Sequence, residues 1–149
     1  MIKQFSMTLP GNPIAKGRPR LTKWGRAYTP KKTKEATEKT KAQITRALHF
    51  LRSASGLEFP LLGPIRVDIN FYLHRPKNMY RKKDSPEAIP HIKRPDLDNL
   101  IKQINDCING IIVGDDSQIT TIAASKFFTE KEIEPRTEIT VFYWCEDEE

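Results

Sequence analysis

Long apolar runs are absent from this chain: no stretch is apolar for long enough to cross a bilayer, and the amino end lacks a signal-type apolar core. These absences point to a cytoplasmic protein with no membrane role. Cysteine is scarce. Cys107 and Cys145 make no metal-type spacing, so both read as reduced thiols. His74 and His91 flank one loop, but two isolated histidines are a weak metal signal, and both are expected to face solvent. There are no internal repeats and no low-complexity segment beyond an acidic tail, Glu146, Asp147, Glu148 and Glu149, whose simplest role is solubility. Nothing calls for a small-molecule cofactor.

What is present is positive charge. The 149 residues, enough for one domain over 1–149 with a modest core, carry 25 Lys and Arg against 19 Asp and Glu, a net +6. Four of those acids form the tail, leaving 25 basic against 15 acidic residues, or +10, in the rest. Such a balance favours a polyanionic partner, although it says nothing of sequence readout.

Against that background, residues 93–118 stand out. Two acidic pairs, Asp96 with Asp98 and Asp115 with Asp116, flank an amphipathic helix. Leu97, Leu100, Ile101, Ile104, Cys107, Ile108 and Ile111 form its apolar arc. Asp98, Lys102, Asn105, Asp106 and Asn109 share the opposite arc. Pro95 favours an extended approach that leaves Asp96 at the helix cap, where it can meet Asp98. Asn109-Gly110 reads as a helix stop, residues 111–113 as a strand and residues 114–116 as a hairpin turn. That turn is expected to return the second acidic pair beside the helix start, making a cup for a hard cation. Each acid also has an ordinary reading as a helix cap or a turn residue.

Around this stretch, residues 2–9 alternate as a strand with Phe5, Met7 and Leu9 on one face. Residues 10–30 form a loop carrying Lys16, Arg18, Arg20, Lys23 and Arg26, with Trp24 and Tyr28 among them. The combination suits phosphate contact and stacking on unpaired bases; a Trp24 tucked under a core edge is the alternative. Residues 29–53 read as a helix capped by Thr29 with Pro30 at its first position, polar in its first half, with Ile44, Ala47, Leu48 and Leu51 as the apolar stripe. The charged half is a solvated face, supported by pairs such as Lys31 with Glu35 and Glu35 with Lys39. Residues 64–73 alternate as the clearest strand. Residues 74–94 show no periodicity and hold Arg75, Lys77, Arg81, Lys82, Lys83, Lys93 and Arg94, a structureless loop able to fold over DNA. Strands at 118–128 and 138–145, with a charged turn at 129–136, complete the chain. The order β-α-β-α-β-β gives an α+β class, a mixed sheet with two helices on one face.

The motif Asp96-Leu97-Asp98-Asn99-Leu100 with Lys102, followed by Asp115-Asp116-Ser117-Gln118, resembles the RusA-like Holliday-junction resolvases of bacteria and phages. The resemblance extends to Pro13, to Lys16-Gly17-Arg18-Pro19-Arg20 and to Tyr28-Thr29-Pro30, so it covers most of the chain. It implies the same fold class and a homodimeric, magnesium-dependent endonuclease that cuts four-way DNA junctions. It also implies metal-binding aspartates at Asp96, Asp98 and Asp116 and a catalytic lysine at Lys102. Phosphodiester hydrolysis needs an activated water and neutralised charge, which three carboxylates holding one or two Mg²⁺ (or Mn²⁺ in its place) and a lysine can supply. Asp115 stays open as a turn residue, an auxiliary ligand or a partner for Lys102. Lys16, Arg18, Arg20, Lys23, Arg26, Lys93 and Arg94 are the expected DNA contacts. Two rivals remain: a nuclease on this scaffold acting on flaps or other branches, and a non-catalytic DNA-binding module.

Overall fold

A computed structural model describes residues 1–146; the acidic tail beyond Glu146 lies outside the described residues. Its elements are β1 (Ile2–Pro10), β2 (Arg20–Leu21), β3 (Ala27–Tyr28), α1 (Lys31–Ser55), β4 (Ile65–Leu73), β5 (Ile89–Pro90), α2 (Leu97–Ile108), β6 (Ile119–Phe128) and β7 (Arg136–Trp144). Five strands form one mixed sheet in the order β1-β7-β4-β6-β5, in which β4 and β6 run parallel and the other pairs antiparallel. This is the expected α+β class, with three short strands added.

Alternation decides which face is buried. Ile65, Val67, Ile69, Phe71 and Leu73 of β4 point inward with Phe5, Met7 and Leu9 of β1 and Ile139 and Val141 of β7. Onto that face pack Ile44 and Leu48 of α1 and Leu100, Ile104, Cys107 and Ile108 of α2, all in one core cluster. Burial pushes the Cys107 thiol up to about 11, which keeps it protonated and inert. Among the described residues no helix is long and apolar enough to cross a membrane.

Five expectations change. Pro30, not Thr29, is the cap of α1, and no side chain bonds there. Residues 111–113 form no strand: they turn back on the end of α2 and bridge to Leu61 and Asn109. Residues 114–116 accordingly lead into a 3₁₀ turn, Asp116–Gln118, that feeds β6 rather than a hairpin. The loop at 74–94 is ordered from within. The Arg75 side chain is only 2 % exposed and donates to the carbonyls of Met79, Ser85, Glu87 and Thr129. Lys131 donates to those of Arg81 and Asp84. His91 is buried, not solvent-facing: its ring lies 4.2 Å from that of Phe128 and its Nδ1 accepts the Lys93 N–H. His74 is exposed as expected.

One topological fact positions the functional residues. A parallel pair needs a crossover, and α2 provides it between β4 and β6. The start of α2 therefore lies at the carboxyl end of β6, and its end lies where β6 begins.

Candidate functional site

Asp96 is the N-cap of α2, in extended conformation at φ −71° and ψ 143°, with its carbonyl accepting from Leu100 N–H. Its side chain makes no capping bond, so the ordinary use of a cap aspartate is not what holds this one. Asp98 occupies the first turn, where a carboxylate suits the helix dipole, and faces Lys102 across one turn at 3.9 Å. Both side chains are largely exposed, so that ion pair contributes little to stability. Asp96, Asp98, Asn99 and Lys102 line one open pocket of about 430 Å³ together with Lys16, Gly17, Arg18 and Pro19. Arg94 joins Arg18, Asp96 and Asn99 in the space next to it.

The amino-terminal loop is pinned to this pocket. Lys16 N–H donates to the carbonyl of Asn99 at 3.0 Å, and its ammonium sits 2.7 Å from Asp106 on α2. Gly17 lies so close to α1 that a Cβ there would stand 2.5 Å from Thr33 Oγ1. Lys16 is thereby tied to a carboxylate, whereas Arg18 opens to the pocket. Arg20, Lys23, Arg26, Lys93 and Arg94 are exposed, and among the described residues none has a carboxylate within ion-pair distance.

The second acidic pair stands elsewhere. Asp115 caps the 3₁₀ turn: its carboxylate accepts Ser117 N–H at 3.1 Å, and Gln118 Oε1 accepts Asp115 N–H in return. Hydrogen bonding from Ser117 holds the Asp115 carboxyl below the usual carboxylate range. Of its open readings, the turn residue is the one seen. Gln118 then fixes the turn to the carbonyls of Leu61 and Gly63, at the opposite end of the sheet from Asp96. Twelve helical residues span about 18 Å, and the seven steps along the strand from Ile119 to Lys126 about 23 Å, so Asp116 is roughly 20 Å from Asp96. The expected cup does not close within one chain. Among the described residues no three His, Cys, Asp or Glu side chains gather to hold a metal.

The family model described as Endodeoxyribonuclease RusA matches residues 10–142, a span that includes both acidic pairs and the basic loop. The chain belongs to the RusA endodeoxyribonuclease family. It is also similar to a Bacillus subtilis (strain 168) protein described as the uncharacterized protein YqaN, at 31 % identity over 143 residues, covering 92 % of this chain and 94 % of the relative.

One residue of this RusA-family site escaped the reading of motifs. Lys126 on β6 donates to the carbonyls of Lys93 at 2.6 Å and Pro95 at 2.7 Å, gripping the segment that delivers Asp96 to the helix start. The signal for it was present in the period of two, which puts Lys126 on the face of Ile122, Ala124 and Phe128. A charged residue in phase with the core of a strand needs internal acceptors, and here they are the backbone beside the acids.

Proposed function

We propose that this RusA-family endodeoxyribonuclease is magnesium-dependent and resolves four-way DNA junctions by paired hydrolysis. The observation that carries the reading is the pocket at the start of α2, where two carboxylates, an amide, two lysines and an arginine share one open space. Asp96, Asp98 and Asn99 supply hard oxygen donors, and Mg²⁺ is commonly held by one or two carboxylates with phosphate oxygens and water completing its shell, so the donor set fits. When bound, the ion would activate a water and neutralise charge on the scissile phosphate. Lys102 orients that phosphate and meets the charge that grows on it, acting most strongly in the transition state. Arg18 and Arg94 hold the adjoining phosphate, while Arg20, Lys23, Arg26 and Lys93 extend the basic track.

A homodimer accounts for the distance to Asp116. The outer edge of β6 over residues 119–125 has no strand beside it among the described residues, because β5 pairs only with Phe127 and Phe128. A two-fold partner adding its own β6 there would run antiparallel. The Asp116 end of each strand would then lie beside the Lys126 end of the other, next to the Asp96 and Asp98 of the opposite copy. Two such sites related by a two-fold axis match the approximate symmetry of a four-way junction and its two cuts.

The test is incubation of purified protein with a four-way junction, a flapped duplex and a linear duplex, each with and without Mg²⁺. Cutting of the junction alone, dependent on Mg²⁺ and lost in Asp98→Asn, is the expected result. Preference for the flap redirects the substrate, and no cutting of any DNA sinks the nuclease reading in favour of a binding module.

A further inference from the structure

The basic track uses the charges of the β2–β3 hairpin but leaves the aromatic ring at its turn, Trp24, without a role. The hairpin pairs Arg20 with Tyr28 and Leu21 with Ala27, and closes through Gly25 N–H to the Thr22 carbonyl at 2.9 Å and Thr22 N–H to the Arg26 carbonyl at 2.8 Å. Gly25, at φ +79°, supplies the left-handed residue this turn demands. Trp24 thereby sits at the very tip. It is 80 % exposed, so it does not tuck under the core, and the ring contact it makes is with the Lys23 ammonium, 5.1 Å from its centroid. A large aromatic held out on a closed turn loses little conformational freedom when something stacks on it.

Two features say what that something is. Every charge on the hairpin is positive, namely Arg20, Lys23 and Arg26, which disfavours a cationic or plain apolar partner and favours a polyanion with flat faces. The hairpin also springs straight from the acid pocket, since Pro19 lines that pocket beside Asp96 and Asp98. Trp24 lies five steps along the chain from Pro19, a reach of at most about 18 Å, or roughly five nucleotide steps along a duplex strand. Paired bases in a duplex are stacked on each other and leave no face for an indole. An unpaired base at a branch does.

We infer that Trp24 is a stacking platform for an unpaired base of the same DNA whose phosphate enters the acid pocket, so that the hairpin distinguishes branched from fully paired DNA. This rests on the reading of the pocket as a DNA site. Its test does not require cutting. In a Trp144→Phe background Trp24 is the only indole, and its fluorescence is followed in Ca²⁺ while oligothymidylate, a four-way junction with unpaired bases at the crossover, or a linear duplex is added. Emission is expected to be quenched by the single strand and the junction and to change little with duplex. Trp24→Ala should weaken single-strand binding by roughly 5- to 150-fold, the range one lost base–aromatic stack gives, with duplex affinity within about twofold and Trp24→Phe recovering most of the loss. Unchanged emission at saturating DNA, an equal loss on single strand and duplex, or a response to phosphatidylserine vesicles in place of DNA overturns the inference. A protein that cuts junctions without quenching loses this inference and keeps its proposed function; one that quenches without cutting does the reverse.

Discussion

At the residue scale, the placement of Asp96 turns on Lys126. An ammonium has three donors, and two of them are spent on the Lys93 and Pro95 carbonyls that bracket the approach to α2. Lys126→Met should cost about 1.5–3 kcal/mol of stability, the usual worth of hydrogen bonds to a charged group. It should also slow junction cutting at saturating DNA at least tenfold while leaving junction affinity within about threefold, with Lys126→Arg recovering part of the rate. Loss of affinity in step with rate would mean that Lys126 merely supports the fold. The charge of the same ammonium acts on a second residue. Burial first, and the Lys126 charge next, hold the His91 imidazole below its ordinary value of 6.5, so the folded protein favours the neutral ring. The stability tied to that neutral form is complete above 6.5 and is lost as pH falls from there through the lowered folded value. Asp84, Asp115 and Glu130, held by hydrogen bonds below their ordinary 3.8, 3.8 and 4.5, contribute to the pH dependence only in a more acid range. The melting temperature should therefore decline between pH 7 and pH 5.5, and His91→Asn, which keeps an acceptor but does not titrate, should flatten that decline. A wild-type curve already flat over this range would contradict the assignment.

At the element scale, β4 and α2 were legible because each has one buried side, and periods of two and about 3.6 in apolar residues report that directly. The loop at 74–94 was not. Arg75 looks from sequence like one more cation for DNA, yet its guanidinium is turned inward by carbonyls drawn from Met79, Ser85, Glu87 and Thr129, an arrangement that exists only once the chain has folded. The acids of the site were legible as residues, while their separation was not. Reading residues 114–116 as a hairpin turn brings Asp116 back to Asp96, whereas the parallel pairing of β4 with β6 makes α2 a crossover and sends Asp116 to its far end. Removing the Arg75 staple leaves four carbonyls without their donor. Arg75→Met should cost on the order of 3 kcal/mol, lowering the melting temperature by roughly 6–12 °C for a chain of this size. Trypsin should then cut faster at Arg81, Lys82 and Lys83. A variant as stable and as protease-resistant as wild type would show that the loop holds itself by other means.

At the scale of the whole molecule, the basic surface draws DNA in, but one chain presents only two of the three expected metal-binding aspartates, Asp96 and Asp98, in one place. The proposal of a two-copy site makes a prediction that a one-chain site cannot share. Asp96→Asn and Asp116→Asn should each abolish cutting when assayed alone. In a heterodimer of the two, one site carries both substitutions and the other carries neither, provided that Asp96 and Asp116 of each site come from different copies. Random exchange makes half of the dimers mixed, each with one intact site of two, so the mixture should regain about a quarter of the wild-type rate of strand nicking in a four-way junction. The decisive measurement is that nicking rate, taken in Mg²⁺ on the mixed variants after exchange of differently tagged copies has been verified. Recovery to about a quarter is the result expected; a mixture as inactive as its separate parts, beside a wild type that cuts, would contradict the two-copy site.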